Sequence, residues 1–213
     1  MAMRETQTAE ARPYHHGDLS RALIDAARRL LEAEGPSALS LRAVAREAGV
    51  SPAAPYHHFK DKGELLEAVA GEGWDMLDQA IAKAKAHAPS VDRALNEIGV
   101  AYVCFARDNP ALYRVMYDTA RDREALPGDM ATIDKDSAYC KVRDTLIEAG
   151  GADPKDPIDI ELATTAAWCS AHGLAEMSGF KQFAHLKDAL GGEEAFFRAI
   201  FQHMGLGRPH QTK

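Results

Sequence analysis

Residues 39–59 read LSLRAVAREAGVSPAAPYHHF, and this stretch decides the fold of the N-terminal part of the chain. Its first half carries apolar residues three, four and seven positions apart, the spacing of one face of an amphipathic helix. Ser40 stands where a helix N-cap is expected, and Gly49 stands where a helix ends in a left-handed residue. Ser51 and Pro52 then predict a second helix, with Ser51 as its N-cap and Pro52 as its first residue. The stretch therefore predicts two helices joined by a tight turn.

The turn itself has a recognisable composition. A small residue, Ala45, is followed four positions later by Gly49 and then by the apolar Val50, which is typical of a helix-turn-helix unit. In such units the second helix lies in the major groove of duplex DNA. Pro55 falls within the second turn of this recognition helix and removes a backbone hydrogen bond, so we expect the helix to be short or partly 3₁₀. The pattern predicts DNA binding.

The sequence that follows narrows the class of protein. Residues 56–66 read YHHFKDKGELL, in which a tyrosine, a His-Phe pair, a lysine and a Leu-Leu pair have fixed spacing. Together with residues 40–51, this pattern resembles the TetR family of bacterial transcriptional regulators, over about residues 14–70. Gly63 stands where the family commonly has glutamate after Lys62. The resemblance implies a three-helix DNA-binding domain followed by a helical domain that binds an effector and dimerises.

A second resemblance lies in the C-terminal half. Trp168, His172 and Gly173 form a W-x-x-x-H-G pattern, similar to a branch of the same family whose C-terminal domain is named for it. Trp168 brings a large apolar surface and an N–H that needs a partner, which His172 is placed to supply or influence. Two interpretations stay open for this pair: a core and dimer contact, or the lining of a ligand cavity.

Helical periodicity runs through most of the chain, apart from the polar stretch up to about Arg12, a loop at 119–128 and the tail after Gly205, and strand signals are absent. We predict an all-α fold with a helix-turn-helix domain at 14–62 and a helical effector-binding and dimerisation domain at 63–213. The expected helices number about nine and lie at about 18–34, 40–48, 52–59, 62–87, 90–108, 110–117, 129–149, 158–180 and 193–204.

Charge and composition exclude several classes of protein. The net charge of −7 lies mostly outside the N-terminal part, because residues 1–70 hold nine Lys or Arg against ten Asp or Glu. A local basic face suffices for phosphate attraction, since screening limits its range to about 8–10 Å. No apolar run is long enough to span a membrane and no signal peptide is apparent, so we expect a cytoplasmic protein. The three cysteines lack metal-site spacing and predict reduced thiols.

The candidate DNA contacts come from the predicted unit and its flanks. The resemblance implies that Tyr56 and Lys62 contact phosphates, and the small side chains Ala53 and Ala54 suit thymine methyl groups. Phe59 is expected to pack in the core instead. The full candidate set is Ser40, Arg42, Ser51, Ala53, Ala54, Tyr56, His57 and Lys62.

The candidate effector contacts are apolar and aromatic residues of the C-terminal domain. Their composition favours a hydrophobic or aromatic small molecule, although each is also a plausible core residue. The set is Trp74, Leu77, Tyr102, Phe105, Tyr113, Met116, Tyr139, Trp168, Cys169 and His172. We expect no metal, because adjacent histidines such as His57 and His58 diverge on a helix. No cofactor motif is present.

The resemblance implies a homodimer formed by the last two helices of each subunit. In the final helix, Phe196, Phe197, Ile200, Phe201 and Met204 cover more than half of the circumference, which favours an additional packing partner. The leading hypothesis is a dimeric repressor that a small effector releases from a palindromic operator. A helix-turn-helix dimer without an effector is the main alternative. An enzyme is not expected, because no nucleophile elbow, zinc motif or phosphate loop occurs.

Overall fold

The all-α prediction is confirmed by a computed structural model, which describes residues 16–121 and 135–205. Within these ranges every regular element is helical, with nine α-helices and three 3₁₀ helices. The chain divides between Leu65 and Leu66 into two compact units, three residues beyond the boundary expected from the sequence.

The N-terminal unit is built on two helices. Helix α1 spans His16–Glu34 and α2 spans Leu41–Glu47, with a 3₁₀ turn at Pro36–Ala38 between them. A second 3₁₀ helix, Ala54–His57, follows, and α3 begins at Lys62 and continues to His87, as the sequence predicts. The core consists of one face of each element: Leu23, Ala26, Ala27, Leu30, Leu31, Leu39, Leu41, Val44, Ala45, Phe59 and Leu65.

The recognition helix is shorter than the span of 52–59 predicted from the sequence, because only Ala54–His57 are helical. Ser51 does not cap a helix through its side chain, so that expectation is wrong; its carbonyl oxygen instead accepts from the N–H of Ala54 at 3.0 Å in a turn. Only four residues then form a 3₁₀ helix. Pro55, which is buried, supplies no N–H, and this favours a tight turn over α-helix. The expectation of a short, 3₁₀-like recognition element is confirmed.

The start of α3 has a capping pattern that the sequence analysis missed. The carboxylate of Asp61 accepts from the N–H of Glu64 at 3.0 Å, and the carboxylate of Glu64 accepts from the N–H of Lys60 at 2.6 Å. This reciprocal arrangement resembles a capping box. A Cβ on Gly63 would lie 3.1 Å from Oδ1 of Asp61, so glycine leaves room for the capping carboxylate.

The C-terminal unit contains the remainder of α3 and six further helices. Their bounds are α4 Val91–Asp108, α5 Pro110–Arg121, α6 Ala138–Glu148, α7 Pro157–Met177, α8 Ala184–Leu190 and α9 Glu193–Met204. Helix α6 does not begin near residue 129 as predicted, because Ser137 caps it by accepting from the N–H of Cys140; residues 129–134 lie outside the described residues. The short helix α8 was not predicted at all.

Helix α4 lies at the centre of this unit and packs against α5, α6, α7 and α9. A Cβ on Gly99 would lie 2.7 Å from the ring of Phe201, so glycine lets α4 and α9 approach closely. On the flank of the same pair, Arg198 donates two hydrogen bonds of 2.8 Å to the carboxylate of Glu97. This bidentate interaction lowers the pKa of Glu97 and fixes the register of α9 on α4.

The packing of the final helix, α9, shows that its wide apolar surface does not require a second subunit. Phe196, Phe197 and Phe201 are all buried within their own chain, and Phe197 has no exposed surface. Their number therefore reflects packing on α4 and neighbouring elements, not a surface left for a second subunit. Ile200 is half-buried and Met204 is exposed. The apolar residues of α9 do not argue for a dimer.

The close approach of α4 and α9 predicts different outcomes for two helical glycines. Gly99→Ala should lower the free energy of unfolding by about 1–3 kcal/mol, because the added methyl group overlaps the ring of Phe201. Gly71→Ala, in an exposed position of α3 with open space around it, should raise it by about 0.5–1 kcal/mol. Urea denaturation of the two variants measures both values. Equal effects would contradict the packing described for α4 and α9.

Candidate functional site

Helix α2 presents a polar, exposed N-terminal end. Its N-cap, Ser40, accepts from the N–H of Ala43 through its hydroxyl oxygen at 3.1 Å, as the sequence predicts. Arg42 and Arg46 are exposed on the same helix. The acidic Glu47 is engaged by Arg29, whose Nε donates to Oε1 at 2.9 Å. This ion pair offsets the one acidic side chain of α2 and leaves a locally basic face.

The recognition segment, which we define as residues 51–59, exposes one face and buries the other. Pro55 and Phe59 are buried, whereas 54% of Tyr56 is exposed. Ser51, Pro52, Ala53 and His57 are also exposed, and Ala54 and His58 are half-buried. The segment therefore projects short side chains together with one tyrosine and one histidine.

Lys62, the first residue of α3, has a role that the sequence did not predict. Its Nζ donates to the carbonyl oxygen of Pro36 at 2.9 Å, which connects the start of α3 to the turn between α1 and α2. The side chain is nevertheless exposed, and an ammonium group has three donors. A phosphate contact is compatible with this interaction.

A cluster of aromatic rings occupies the C-terminal unit. Trp168 of α7 stacks on Trp74 of α3, with ring centroids 6.5 Å apart, and meets the edge of Tyr102 at 5.4 Å. Tyr117 lies 5.4 Å from the Trp74 ring and 4.5 Å from that of His172. We call the full set the aromatic cluster: Trp74, Tyr102, Tyr113, Tyr117, Tyr139, Trp168 and His172. Tyr117 is the one member that the sequence analysis left out.

Polar atoms inside this cluster form a chain of hydrogen bonds. The indole N–H of Trp168 donates to the hydroxyl of Tyr117 at 3.1 Å, and the hydroxyl of Tyr113 lies 2.6 Å from Nδ1 of His172. Tyr102 joins the two ends, because its hydroxyl contacts those of Tyr117 and Tyr113.

The indole can only donate, which sets the direction of the chain. Each proton finds an acceptor when Trp168 donates to Tyr117, Tyr117 to Tyr102, Tyr102 to Tyr113, and Tyr113 to His172. If the hydrogen bonds ran the other way, from His172 towards Tyr117, both Trp168 and Tyr102 would donate to the Tyr117 oxygen. The hydroxyl proton of Tyr117 would then have no acceptor in this network. The network thus assigns His172 the tautomer with an unprotonated Nδ1. Burial raises the pKa values of the three tyrosines, which keeps their hydroxyls protonated as donors.

The remaining predicted effector contacts differ in their exposure to solvent. Leu77, Met116 and Phe105 are buried, whereas Cys169 is exposed on α7. Beside Tyr102 and Trp168 lies a cavity of about 20 Å³, enough for one water molecule. A larger open groove, about 520 Å³, is lined by residues of α3, α4 and α9 and by none of the predicted effector contacts.

Two further features of the described ranges concern other kinds of site. Among residues 16–121 and 135–205, no three His, Cys, Asp or Glu side chains lie close enough together to hold a metal ion. In the same part of the chain, no helix has the length and apolarity needed to cross a membrane.

The fold and the exposed recognition segment define a helix-turn-helix DNA-binding protein. Comparison with known families agrees: the model described as "Bacterial regulatory proteins, tetR family" matches residues 23–69. A second model, "Tetracyclin repressor-like, C-terminal domain", matches residues 95–204, more than half of the chain. The chain belongs to the TetR family of transcriptional regulators, which bind DNA and are not enzymes.

Individual relatives carry the same class of name. The HTH-type transcriptional regulator BetI of Rhizobium meliloti is 36% identical over 107 residues, which cover 49% of this chain and 53% of that protein. The match thus spans about half the length of that relative. An uncharacterized HTH-type regulator of Bacillus subtilis, YobS, is 26% identical over 178 residues, covering 82% of this chain and 86% of that protein.

Solved structures share the architecture. A protein of unknown function from Rhodococcus sp. RHA1 is 29% identical and has a TM-score of 0.73, covering 94% of this chain and 100% of that one. A regulatory protein of the tetR family from Rhodococcus RHA1 has a TM-score of 0.63 at 22% identity, covering 92% of this chain and 98% of that one. The second likeness concerns the fold alone.

The hydrogen-bond chain predicts different costs for removing two tyrosine hydroxyls. Tyr113→Phe should lower the free energy of unfolding by about 1–3 kcal/mol, because Nδ1 of His172 loses its donor at 2.6 Å and keeps only the more distant hydroxyl of Tyr102, at 3.4 Å. Tyr139→Phe removes a hydroxyl that is not part of this hydrogen-bond network and should change the free energy of unfolding by less than about 0.5 kcal/mol. Urea unfolding followed by circular dichroism compares the two. A Tyr113 variant as stable as the Tyr139 variant would contradict the network.

Proposed function

We propose that the protein is a repressor that binds a palindromic operator as a homodimer and is released by a small hydrophobic or aromatic effector, acting in the cytoplasm. The observation that carries the DNA-binding part is the recognition segment, whose buried residues Pro55 and Phe59 hold an exposed Tyr56 beside a locally basic helix. An exposed tyrosine on a short rigid element suits a contact with duplex DNA.

The candidate DNA contacts divide by chemistry. Arg42 and Lys62 bring positive charge to phosphates, and the hydroxyls of Ser40 and Tyr56 are able to donate to phosphate oxygens. Such contacts position the protein without reading sequence. Ser51, Ala53, Ala54 and His57 lie in the recognition segment and are the candidates for base contacts.

The dimer proposal rests on α7. An outward stripe of apolar and small residues follows a repeated spacing of four, four and three positions, typical of a helix face that packs along another helix. We call this the α7 stripe, and it consists of Ile158, Leu162, Ala166, Cys169, Gly173 and Met177 on α7 and of Phe180, three residues beyond the end of the helix, all exposed. Large residues lie at its ends and small ones in its middle. Apart from the nearby backbone of α7 itself, none of the described residues comes within 4 Å of a Cβ placed on Gly173, which leaves room for a close partner.

A second copy of the chain is the partner that this stripe fits. Two stripes related by a two-fold axis bury each other, and the same symmetry supplies the two recognition segments that a palindromic operator requires. An uncovered apolar stripe of this length is also unusual for a monomer.

The aromatic cluster is the proposed effector site. It brings together side chains of α3, α4, α5, α6 and α7, and α3 is the element that continues into the N-terminal unit. An effector that binds one arrangement of the cluster better than another shifts the population of the two arrangements. We propose that α3 transmits this shift to the spacing of the two recognition segments in the dimer.

The small size of the cavity beside Tyr102 and Trp168 favours the alternative, which is a helix-turn-helix dimer without an effector. About 20 Å³ holds one water molecule, so an aromatic ligand would have to displace cluster side chains. Both tryptophans of the chain, Trp74 and Trp168, belong to the cluster, so tryptophan fluorescence excited at wavelengths that tyrosine does not absorb reports on it alone. A panel of small uncharged aromatics, such as benzyl alcohol, should shift this emission and release a labelled operator. If no compound does either, the alternative holds.

The proposed phosphate contact of Tyr56 predicts that removing its hydroxyl weakens operator binding. Tyr56→Phe should weaken binding to an operator selected from random duplexes by about tenfold, because one hydrogen bond to a phosphate is lost while the ring remains. Ser90→Ala, which removes an exposed hydroxyl that makes no capping hydrogen bond and lies outside both the recognition segment and the aromatic cluster, is the control and should bind as the parent does. Fluorescence anisotropy with a labelled duplex measures both affinities. Unchanged binding by the Tyr56 variant would remove this contact.

If the α7 stripe forms the dimer interface, a single charged substitution within it should convert the dimer to monomers. Leu162 is 65% exposed, so Leu162→Asp leaves the fold of the single chain intact but places a charge in the proposed interface. Val91→Asp, at an exposed apolar residue of α4, is the control and should remain dimeric. Sedimentation velocity distinguishes the two species. Dimers formed by the Leu162 variant would show that the α7 stripe is not the interface.

A further inference from the structure

We propose that this protein reads its operator through the methyl groups of thymine, with Ala53 and Ala54 as the side chains that contact them. The inference rests on the proposed DNA-binding function and adds to it the chemistry of base recognition.

The residue types of the recognition segment limit what it can read. Residues 51–59, SPAAPYHHF, contain no Arg, Lys, Asn, Gln, Asp or Glu. In the major groove, guanine is read mainly by the paired donors of Arg or by Lys, adenine by the amide of Asn or Gln, and cytosine by a carboxylate. The segment has none of these side chains. Its polar groups are single hydroxyls and imidazoles, which lack the two-point geometry of those contacts.

The shape of the segment favours apolar contact with base edges. Pro52 and Ala53 are exposed side by side in the turn before the 3₁₀ helix, and Ala54 opens that helix. Pro55, directly after them, is buried and faces away from solvent. The exposed surface at this point is therefore backbone covered only by methyl and methylene groups, which permits a close approach to the groove floor. The C5 methyl of thymine is the only apolar group that a standard base pair presents there.

The Arg and Lys side chains near the recognition segment lie outside it. Arg42 and Arg46 extend from α2, and Lys62 begins α3. In helix-turn-helix proteins the helix before the recognition element crosses the DNA backbone, so these charges suit phosphates. Phosphate contacts carry no sequence information of their own. Sequence discrimination by this unit thus falls to the short side chains, with Tyr56 and His57 beside them.

The inference has a measurable consequence for the operator. Each half-site should contain at least one thymine opposite Ala53 or Ala54. Deoxyuridine differs from thymine only by the absent methyl group, so replacing such a thymine by deoxyuridine should weaken binding about fourfold per contacted methyl. Replacing its T·A pair by 5-methylcytosine·G should bind more tightly than replacing it by unmodified C·G, because the methyl group stays in place.

The experiment begins with selection of duplexes from a random library by the full-length protein. The selected operator is then made with deoxyuridine at one thymine at a time, and affinities are measured by fluorescence anisotropy. We expect losses of about fourfold at one or two positions in each half-site, and no loss at thymines outside the half-sites. In Ala53→Gly or Ala54→Gly, the corresponding loss should disappear. Circular dichroism checks that both variants are folded.

The outcomes separate this inference from the proposed function. A protein that selects no duplex would overturn both. A protein that binds a selected operator, yet tolerates deoxyuridine at every thymine, would overturn the methyl readout and leave DNA binding intact. Losses that persist undiminished in both glycine variants would show that other side chains contact the methyl groups. Losses that vanish in one variant support the assignment to that alanine.

Discussion

The burial of Pro55 and Phe59 is the interaction on which the DNA-reading part of this protein depends. A 3₁₀ helix of four residues has too few hydrogen bonds to persist by itself. Here the N–H groups of His58 and Phe59 both donate to the carbonyl oxygen of Pro55 at 2.9 Å, and the two buried side chains attach this turn to the core. The segment is consequently held in one conformation while Tyr56 stays exposed. Rigidity on one face and exposure on the other are what a surface for DNA contact requires.

In the C-terminal unit, the residues that stabilise the fold are also those that we propose as the effector site. Its aromatic cluster buries large apolar surface, and its hydroxyls satisfy one another from Trp168 to His172. A buried network of this kind is stable only while every member has a partner. A ligand that displaces one hydroxyl must therefore supply an equivalent group or cause a rearrangement, which is how binding in this cluster would alter the helices that carry it.

Local patterns in the sequence predicted the parts of the fold that local physics controls. The Ser40 cap and the left-handed Gly49 that follows α2 agree with the capping signals in the sequence, and the bounds of α3 agree with its apolar periodicity. The cap at Asp61 and Glu64 was also readable, as an acidic residue followed three positions later by glutamate, but it was overlooked. Tyr117 was missed in the aromatic cluster because membership depends on how α5 packs, which periodicity does not reveal.

The role of the final helix shows where sequence reasoning reaches its limit. An apolar arc wider than one packing face predicts a subunit interface, but α4 and neighbouring elements bury Phe196, Phe197 and Phe201 in the same chain. An apolar pattern in the sequence predicts that a helix face is buried, but it does not indicate whether the same chain or a second subunit buries it. The exposed stripe on α7 carried the weaker sequence signal, because it mixes leucine and isoleucine with alanine, cysteine and glycine.

The central claim is that two symmetric copies of the chain present their recognition segments to one duplex. Selection from random DNA, followed by the stoichiometry of the complex with the enriched duplex, tests it most directly. A symmetric dimer should enrich an inverted repeat whose half-sites are centred about one helical turn apart, or a multiple of it, with an even number of chains bound. Enrichment of an asymmetric site bound by a single chain, or no enrichment, would contradict it.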